Sequence, residues 1–315
     1  MIKIKNSKIY IVMFHYIRNI NKTNYPKLKA LELDKFKKQI YFFKKNFNVL
    51  SYFDFLEILQ SKKIPLKPSI LLTFDDGYYD HFENAFPILL KNKISGIFYT
   101  PIVTFKNNKI LDVNKIHFIL ERENNRGKII NFIDTCLKKY LKKSLINLNI
   151  KKIDLFNRWD DKETTLIKKL LQDYLPEKVR LKILNNLFED VVDDNESEFA
   201  RKLYMSQKNI CEMSKNGMFF GIHGSNHKRL SKLNYNEQQK EISDSIKVFK
   251  KLKLNENSLS ICYPYGAYNN NTLKISKKND LNFGLTINTN YLEKNNISKI
   301  YEIPRFDCND FLKFI

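Results

Sequence analysis

Ser69-Ile70-Leu71-Leu72-Thr73-Phe74-Asp75-Asp76-Gly77 is the stretch from which the fold can be read. Its first residues are an apolar run of strand length. Its end places two adjacent carboxylates where the strand gives way to an Asp-Gly turn. Carboxylates are costly to desolvate unless something compensates them, and a metal ion or a proton-transfer task is the usual compensation. An ordinary strand followed by a turn has the same residues, and only the rest of the chain separates the two.

Working outward, short apolar runs at 9–14, 70–74, 96–99, 218–222, 259–262 and 283–286 alternate with helical patterns such as 35–47, 53–61 and 237–252. Strands that alternate with helices imply parallel pairing through right-handed crossovers. A distorted (β/α) barrel is therefore expected, with its site at the carboxyl ends of the strands. The pattern changes between residues 106 and 202, where 129–145, 162–174 and 177–191 show helical spacing and few strand features. That is far longer than a usual connection, so a helical insertion at about 107–202 is expected to cover one rim of the barrel. The sole tryptophan, Trp159, lies there beside Asp160 and Asp161. It is expected in the insert's core, with a sugar-stacking platform as the alternative.

Two more segments close apolar runs. His223-Gly224-Ser225-Asn226-His227 holds two of the chain's five histidines, four residues apart. Neutral imidazoles are good ligands for zinc and similar divalent ions, and this spacing lets both rings reach one ion across a single turn. A third, negatively charged ligand would complete a site with one position left open, which is the catalytic arrangement. A solvated loop is the plainer alternative. In Cys262-Tyr263-Pro264-Tyr265-Gly266-Ala267-Tyr268, proline and glycine set an irregular backbone able to point a main-chain N–H into a pocket, although many turns have this composition.

Together these segments resemble the polysaccharide deacetylase family, also called the NodB-homology domain or carbohydrate esterase family 4. Thr73 to Gly77 looks like its first motif, T-F-D-D-G. His223 to His227 looks like its second, H-[ST]-x-x-H, with Gly224 in the Ser/Thr place. Tyr263 to Gly266 looks like the end of its third, and the expected helix from Met205 to Gly217 also fits. The resemblance covers most of the chain outside the insertion, so that 1–315 is expected to be one catalytic domain. It implies that Asp76, His223 and His227 hold a divalent metal, with zinc the expected ion. It also implies that Asp75 is the general base, that the Tyr265 N–H stabilises the oxyanion, and that Tyr263, Pro264 and Tyr265 line the substrate. The chemistry agrees. An amide carbonyl is a poor electrophile and needs a Lewis acid, while a second carboxylate must accept the proton.

Two departures from the family pattern matter. The family has a histidine near the C-terminus that protonates the leaving amine, and no histidine follows His227. Phe14-His15-Tyr16 resembles the amino-terminal motif of the biofilm poly-N-acetylglucosamine deacetylases, which implies His15 as the general acid; a histidine packed at a strand end is the alternative. The arginine that precedes the third motif's Pro-Tyr-Gly and orients the base is also missing, its place taken by Cys262 and Tyr263. Arg305, in Ile303-Pro304-Arg305-Phe306-Asp307, could supply a two-pronged pair to Asp75, or be an ordinary surface arginine. Asp307 is a candidate to orient His15 or Arg305. Of the other histidines, His81 is expected at the surface on the opening turn of a helix, with a substrate contact as the alternative, and His117 is read as structural.

Composition bounds the remainder. A hydrophobic fraction of 43% supports a sizeable core and excludes a disordered chain. Four scattered cysteines, without a C-x-x-C pair, suggest neither a disulfide framework nor a thiolate zinc site. The apolar run after the basic N-terminus is too short for a secretory segment, and no stretch approaches a spanning helix, so cytoplasmic residence, peripheral at the membrane's inner face, is expected. The formal net charge of +21 is spread among asparagines and isoleucines rather than clustered. It favours contact with an anionic membrane or glycan over nucleic acid. The expected function is metal-dependent hydrolysis of N-acetyl, or O-acetyl, groups on a sugar of a bacterial surface polysaccharide or its precursor. A carbohydrate-binding protein on an inactive deacetylase scaffold is the alternative.

Overall fold

A computed structural model describes residues 3–148, 150, 153–158, 160–192, 195–254 and 258–315. Trp159 lies outside them. By internal contacts the chain divides into two compact units, one of Met1–Asn19, Lys29–Lys109 and Ala200–Ile315, the other of Ile20–Leu28 and Ile110–Phe199.

The first unit is built on strands β1 (Ile9–Phe14), β2 (Asn48–Val49), β3 (Ser69–Asp75), β4 (Ile97–Thr100), β5 (Phe219–Ile222), β6 (Ile261–Cys262), β7 (Gly284–Leu285) and β8 (Phe306–Asp307). Among the described residues they form one parallel sheet in the order β8-β1-β3-β4-β5-β6-β7, with β2 paired to the start of β3. Helices such as Leu33–Asn46, Tyr52–Ser61 and Tyr235–Lys251 connect the strands, as right-handed parallel crossovers require. Each of these three carries a side-chain N-cap, from Glu32, Ser51 and Asn234, which satisfies amide donors the first turn would leave orphaned. The segment before β8 joins the two edges of the sheet. Ile303 bridges Leu285 of β7 in parallel, and three residues later Phe306 pairs with Val12 of β1. The result is the distorted (β/α) barrel.

Both faces of the sheet are buried, so its strands read as continuous apolar runs rather than alternating ones. The alternation survives in which neighbours each side chain finds. Phe14, Phe74, Phe98 and Phe220 stand side by side in register on β1, β3, β4 and β5. Their rings stack at centroid distances of 5.0, 4.5 and 5.5 Å. Such pairs add roughly 0.5–1.5 kcal/mol each beyond the area they bury. On the opposite face Ile11, Leu71, Ile97, Tyr99, Cys262 and Leu285 pack together with Tyr52 and Phe55 from the Tyr52–Ser61 helix. Thr73 and Asp75 share that face by the two-residue period of β3.

The second unit is helical among its described residues, with Asp112–Arg122, Arg126–Leu141, Lys162–Lys169 and Glu177–Val192 as its main helices. A buried charge is compensated inside it: the Lys115 ammonium donates to Asn185 at 2.8 Å and lies 3.0 Å from Glu196. His117 lies half-buried on the first of these helices.

Candidate active site

The three motif-bearing strands, β3, β5 and β6, end at one rim of the first unit. After β3 the backbone turns sharply: Asp76 and Gly77 both take left-handed conformations, with φ of 73° and 72°. That conformation is strained for aspartate and easy for glycine. A Cβ on Gly77 would also lie 2.5 Å from the Thr100 side chain, so this position tolerates little else. Beyond β5, Gly224 has φ +70°, which favours glycine where the family motif carries Ser or Thr. His227 is also left-handed, at 55°. Both turns are bent to aim side chains at a common point.

That point lies between Asp76, His223 and His227. Asp76 Oδ1 is 3.5 Å from His223 Nε2 and 3.3 Å from His227 Nε2, and all three side chains are almost fully buried. Bonds of about 2.0–2.2 Å at tetrahedral angles place neighbouring ligand atoms about 3.3–3.6 Å apart. The donor set thus has the spacing a small divalent ion requires, and three protein ligands leave one position open. His223 Nδ1–H donates to the Cys262 carbonyl at 2.7 Å, which turns Nε2 toward the cluster. Burial tends to raise Asp76 and to lower His223, but the hydrogen bond between them and the neighbouring charges outweigh it, holding the Asp76 carboxyl well below and the His223 imidazole well above their usual ranges. His227 is pushed down to about 3, chiefly by burial, so it is neutral and able to ligate at ordinary pH.

Beside this cluster, Asp75 meets Arg305. The guanidinium donates from Nη1 to Oδ1 at 2.9 Å and from Nη2 to Oδ2 at 2.7 Å. It also donates to the Thr286 carbonyl, Thr73 Oγ1 and Cys262 Sγ, and Arg305 is only 1% exposed. It is no surface arginine. Burial would raise the Asp75 carboxyl, yet Arg305 overrides it and holds the pKa at about 2. The guanidinium missing from the third motif thus arrives from the segment that joins the sheet edges. Cys262, at the start of the third motif, has its thiol 3.5 Å from Asp75 Oδ2. Cys262 also groups with Asp75 and His223 as a second set of three adjacent ligand atoms. Burial pushes its thiol pKa up, so it is a hydrogen-bonding neighbour rather than a ready thiolate.

His15 follows directly on β1. Since Phe14 pairs with Phe74, continuing the parallel register places His15 alongside Asp75. Its charge lowers both Asp75 and Asp76, which puts it within electrostatic reach of the site. The loop after the first motif anchors this segment twice. His81 Nε2 donates to the His15 carbonyl at 2.8 Å, and Asp80 accepts from the Ile17 amide and from Arg18 Nε at 3.2 and 2.8 Å. His81 is therefore not at the surface, as expected from sequence, but fully buried, and burial pushes its pKa down to about 4. Asp307 orients neither His15 nor Arg305 in its contacts; it caps the turn that follows, accepting from the Asn309 amide at 2.8 Å.

The third motif needs a correction. Tyr263 and Pro264 were expected against the substrate, and both are buried. The Tyr263 ring stacks on Tyr268 at 4.9 Å and its hydroxyl donates to the Tyr301 carbonyl at 2.9 Å, so it belongs to the core. Tyr265 stays partly exposed, in a left-handed conformation with φ 58°. Its ring lies 4.7 Å from that of His227 and 4.1 Å from the Arg229 guanidinium. Tyr78, which the motif spacing did not single out, completes the surroundings by donating its hydroxyl to Asp76 Oδ2 at 2.6 Å.

Comparison with known proteins agrees with this layout. A family model described as polysaccharide deacetylase matches residues 184–284, the stretch holding the second and third motifs. YxkH of Bacillus subtilis (strain 168), a protein named as a polysaccharide deacetylase, is 31% identical over 87 residues, which is 28% of this chain and 31% of that protein. The chain thus spans under a third of this relative's length. Among solved structures, the Streptococcus pyogenes deacetylase PplD superposes with a TM-score of 0.57 at 20% identity, covering 96% of this chain and 93% of PplD. IcaB from Ammonifex degensii gives 0.57 at 13%, with 98% and 95% covered. The BpsB deacetylase domain from Bordetella bronchiseptica gives 0.55 at 13%, with 98% of both covered. At such identities the likeness to these structures is one of fold. With the matched segment of about a third of the chain and the three motifs gathered at one rim of that fold, the chain is similar to the polysaccharide deacetylases in its fold and in these motifs.

Proposed function

We propose that the chain is a metal-dependent hydrolase that removes N-acetyl, or O-acetyl, groups from a sugar of a bacterial surface polysaccharide or its precursor. The observation that carries this reading is Asp76 Oδ1 set 3.3 and 3.5 Å from two histidine nitrogens, with an Arg305-clamped carboxylate next to it in sequence. Asp76, His223 and His227 would hold the ion, for which zinc best suits the nitrogen–oxygen donor set. Such an ion supplies Lewis acidity, which polarises a carbonyl and acidifies water. Asp75, ionised and held at two points, accepts the proton of the attacking water. His15, on the neighbouring strand end, gives a proton to the leaving amine. The Tyr265 N–H, in its tight turn, is the donor for the oxyanion, a contribution typically worth about 3 kcal/mol.

PplD was solved in complex with acetate, the product this reaction would release. The net charge of +21 supports peripheral association with an anionic glycan or membrane surface. Among the described residues no helix is long and apolar enough to cross a membrane. The test is acetate release from a panel of N- and O-acetylated oligosaccharides, with and without chelator, for the wild type and Asp75→Asn. Chelator-sensitive release that Asp75→Asn lowers by about 10²–10⁴-fold is expected. Release that survives complete removal of metal would overturn the mechanism, and sugar binding without release would favour an inactive scaffold.

A further inference from the structure

We infer that Tyr78 is a positioning residue for the metal ligand Asp76, dedicating one carboxylate oxygen to the protein so that only the other faces the ion. The inference rests on the metal-site reading above. The two oxygens of Asp76 have different partners: Oδ1 faces His223 and His227, whereas Oδ2 accepts the Tyr78 hydroxyl at 2.6 Å, a short charge-assisted hydrogen bond. Tyr78 is fully buried, so no water competes for that bond.

The phenol's aim is itself constrained. The Tyr78 ring stacks on Tyr16 at 4.0 Å and on Tyr204 at 5.9 Å. Its backbone forms an antiparallel bridge with Tyr204, and the Met205 amide donates to the Gly77 carbonyl at 2.9 Å. The hydroxyl thus has little freedom to leave Asp76. A carboxylate with both oxygens free can bind an ion through one or both. With Oδ2 committed to Tyr78, Asp76 would offer an ion one oxygen, as a four-coordinate site with an open position would need. Such outer hydrogen bonds are typically worth 10–100-fold in metal affinity.

The test is zinc affinity by competition with a chromophoric chelator, for the wild type, Tyr78→Phe, Tyr204→Phe and His223→Ala, each checked for its metal-free melting temperature. Phenylalanine at 78 keeps both ring stacks and should keep the fold. Tyr78→Phe is expected to bind zinc about 10–100-fold more weakly, and Tyr204→Phe, which removes a hydroxyl from the neighbouring ring of the same stack, within about twofold of wild type. Cobalt(II) gives a second readout: gain of a second carboxylate oxygen in Tyr78→Phe would raise the coordination number and weaken the visible absorption. Zinc affinity unchanged in Tyr78→Phe, or lowered equally in both tyrosine variants, would overturn the inference while leaving the metal site intact. A wild type that binds zinc no better than His223→Ala would overturn the metal site and the inference with it.

Discussion

Replacing Arg305 with methionine should destabilise the protein by an amount that depends on pH in a direction the geometry dictates. Arg305 and Asp75 are both almost fully buried and joined by bonds of 2.9 and 2.7 Å. Methionine fills much of the space but leaves the carboxylate without its partner, a change that typically costs about 3–5 kcal/mol. In the wild type Arg305 overcomes the burial penalty and sets Asp75 at about 2, below its ordinary 3.8. This depressed carboxyl therefore contributes about 2 kcal/mol, present above pH 3.8 and lost as pH falls through about 2. Without Arg305 burial dominates and the folded pKa rises above 3.8, so the sign reverses. The variant then carries a penalty at neutral pH that protonation of Asp75 relieves as the solution is acidified. Urea denaturation of the metal-free proteins at pH 7 and pH 4 measures both quantities. The expected result is a difference of about 3–5 kcal/mol at pH 7, smaller by about 2 kcal/mol at pH 4. Adding Asp75→Asn to Arg305→Met should recover much of the pH 7 loss, because no buried charge then remains. A pH-independent difference, or no recovery in the double variant, would refute the clamp.

His15→Gln should lower kcat for acetate release by about 10²–10⁴-fold with little change in KM, and full activity would remove His15 from the mechanism. His81 should make the wild type acid-sensitive. Its folded pKa of about 4 lies below the ordinary 6.5, so stability present above pH 6.5 is lost as pH falls towards 4, by about 3 kcal/mol. His81→Gln should remove that component in denaturation curves taken at pH 7 and 4.5, and equal pH slopes would sink it. Tyr263→Phe should cost about 1 kcal/mol by urea denaturation through its lost bond to the Tyr301 carbonyl, with KM unchanged; a large rise in KM would return Tyr263 to the substrate site.

Strand positions were legible wherever apolar runs met turn residues, and β1 coincides with the run 9–14 read from sequence. Others shrank: the run 259–262 pairs only through Ile261–Cys262, because hydrophobicity marks burial and not hydrogen-bond register. The strand pieces Asn48–Val49 and Phe306–Asp307 were missed, each too short to show a period. The two-pronged Arg305–Asp75 pair was one of two readings left open, raised by an arginine that the resemblance leads one to expect and the third motif lacks. The burial of His81 was not anticipated, because it depends on edge-on and tilted contacts with Phe74, Tyr78 and Phe98, assembled from separate strands and loops. Tyr263 was misplaced for a related reason. A motif fixes where the backbone turns, while the space behind Gly284, where an added Cβ would fall 2.3 Å from the Tyr263 hydroxyl, decides that this ring points inward.

Asp75 and Arg305 are separated by 230 positions along the chain. During synthesis the carboxylate emerges long before its guanidinium, and it acquires a fixed direction only once residues 300–307 have bridged β7 to β1. The segment that closes the sheet is therefore also the one that fixes the direction of the Asp75 carboxylate. A ribosome-bound fragment without that segment would hold the carboxylate with no guanidinium to direct it.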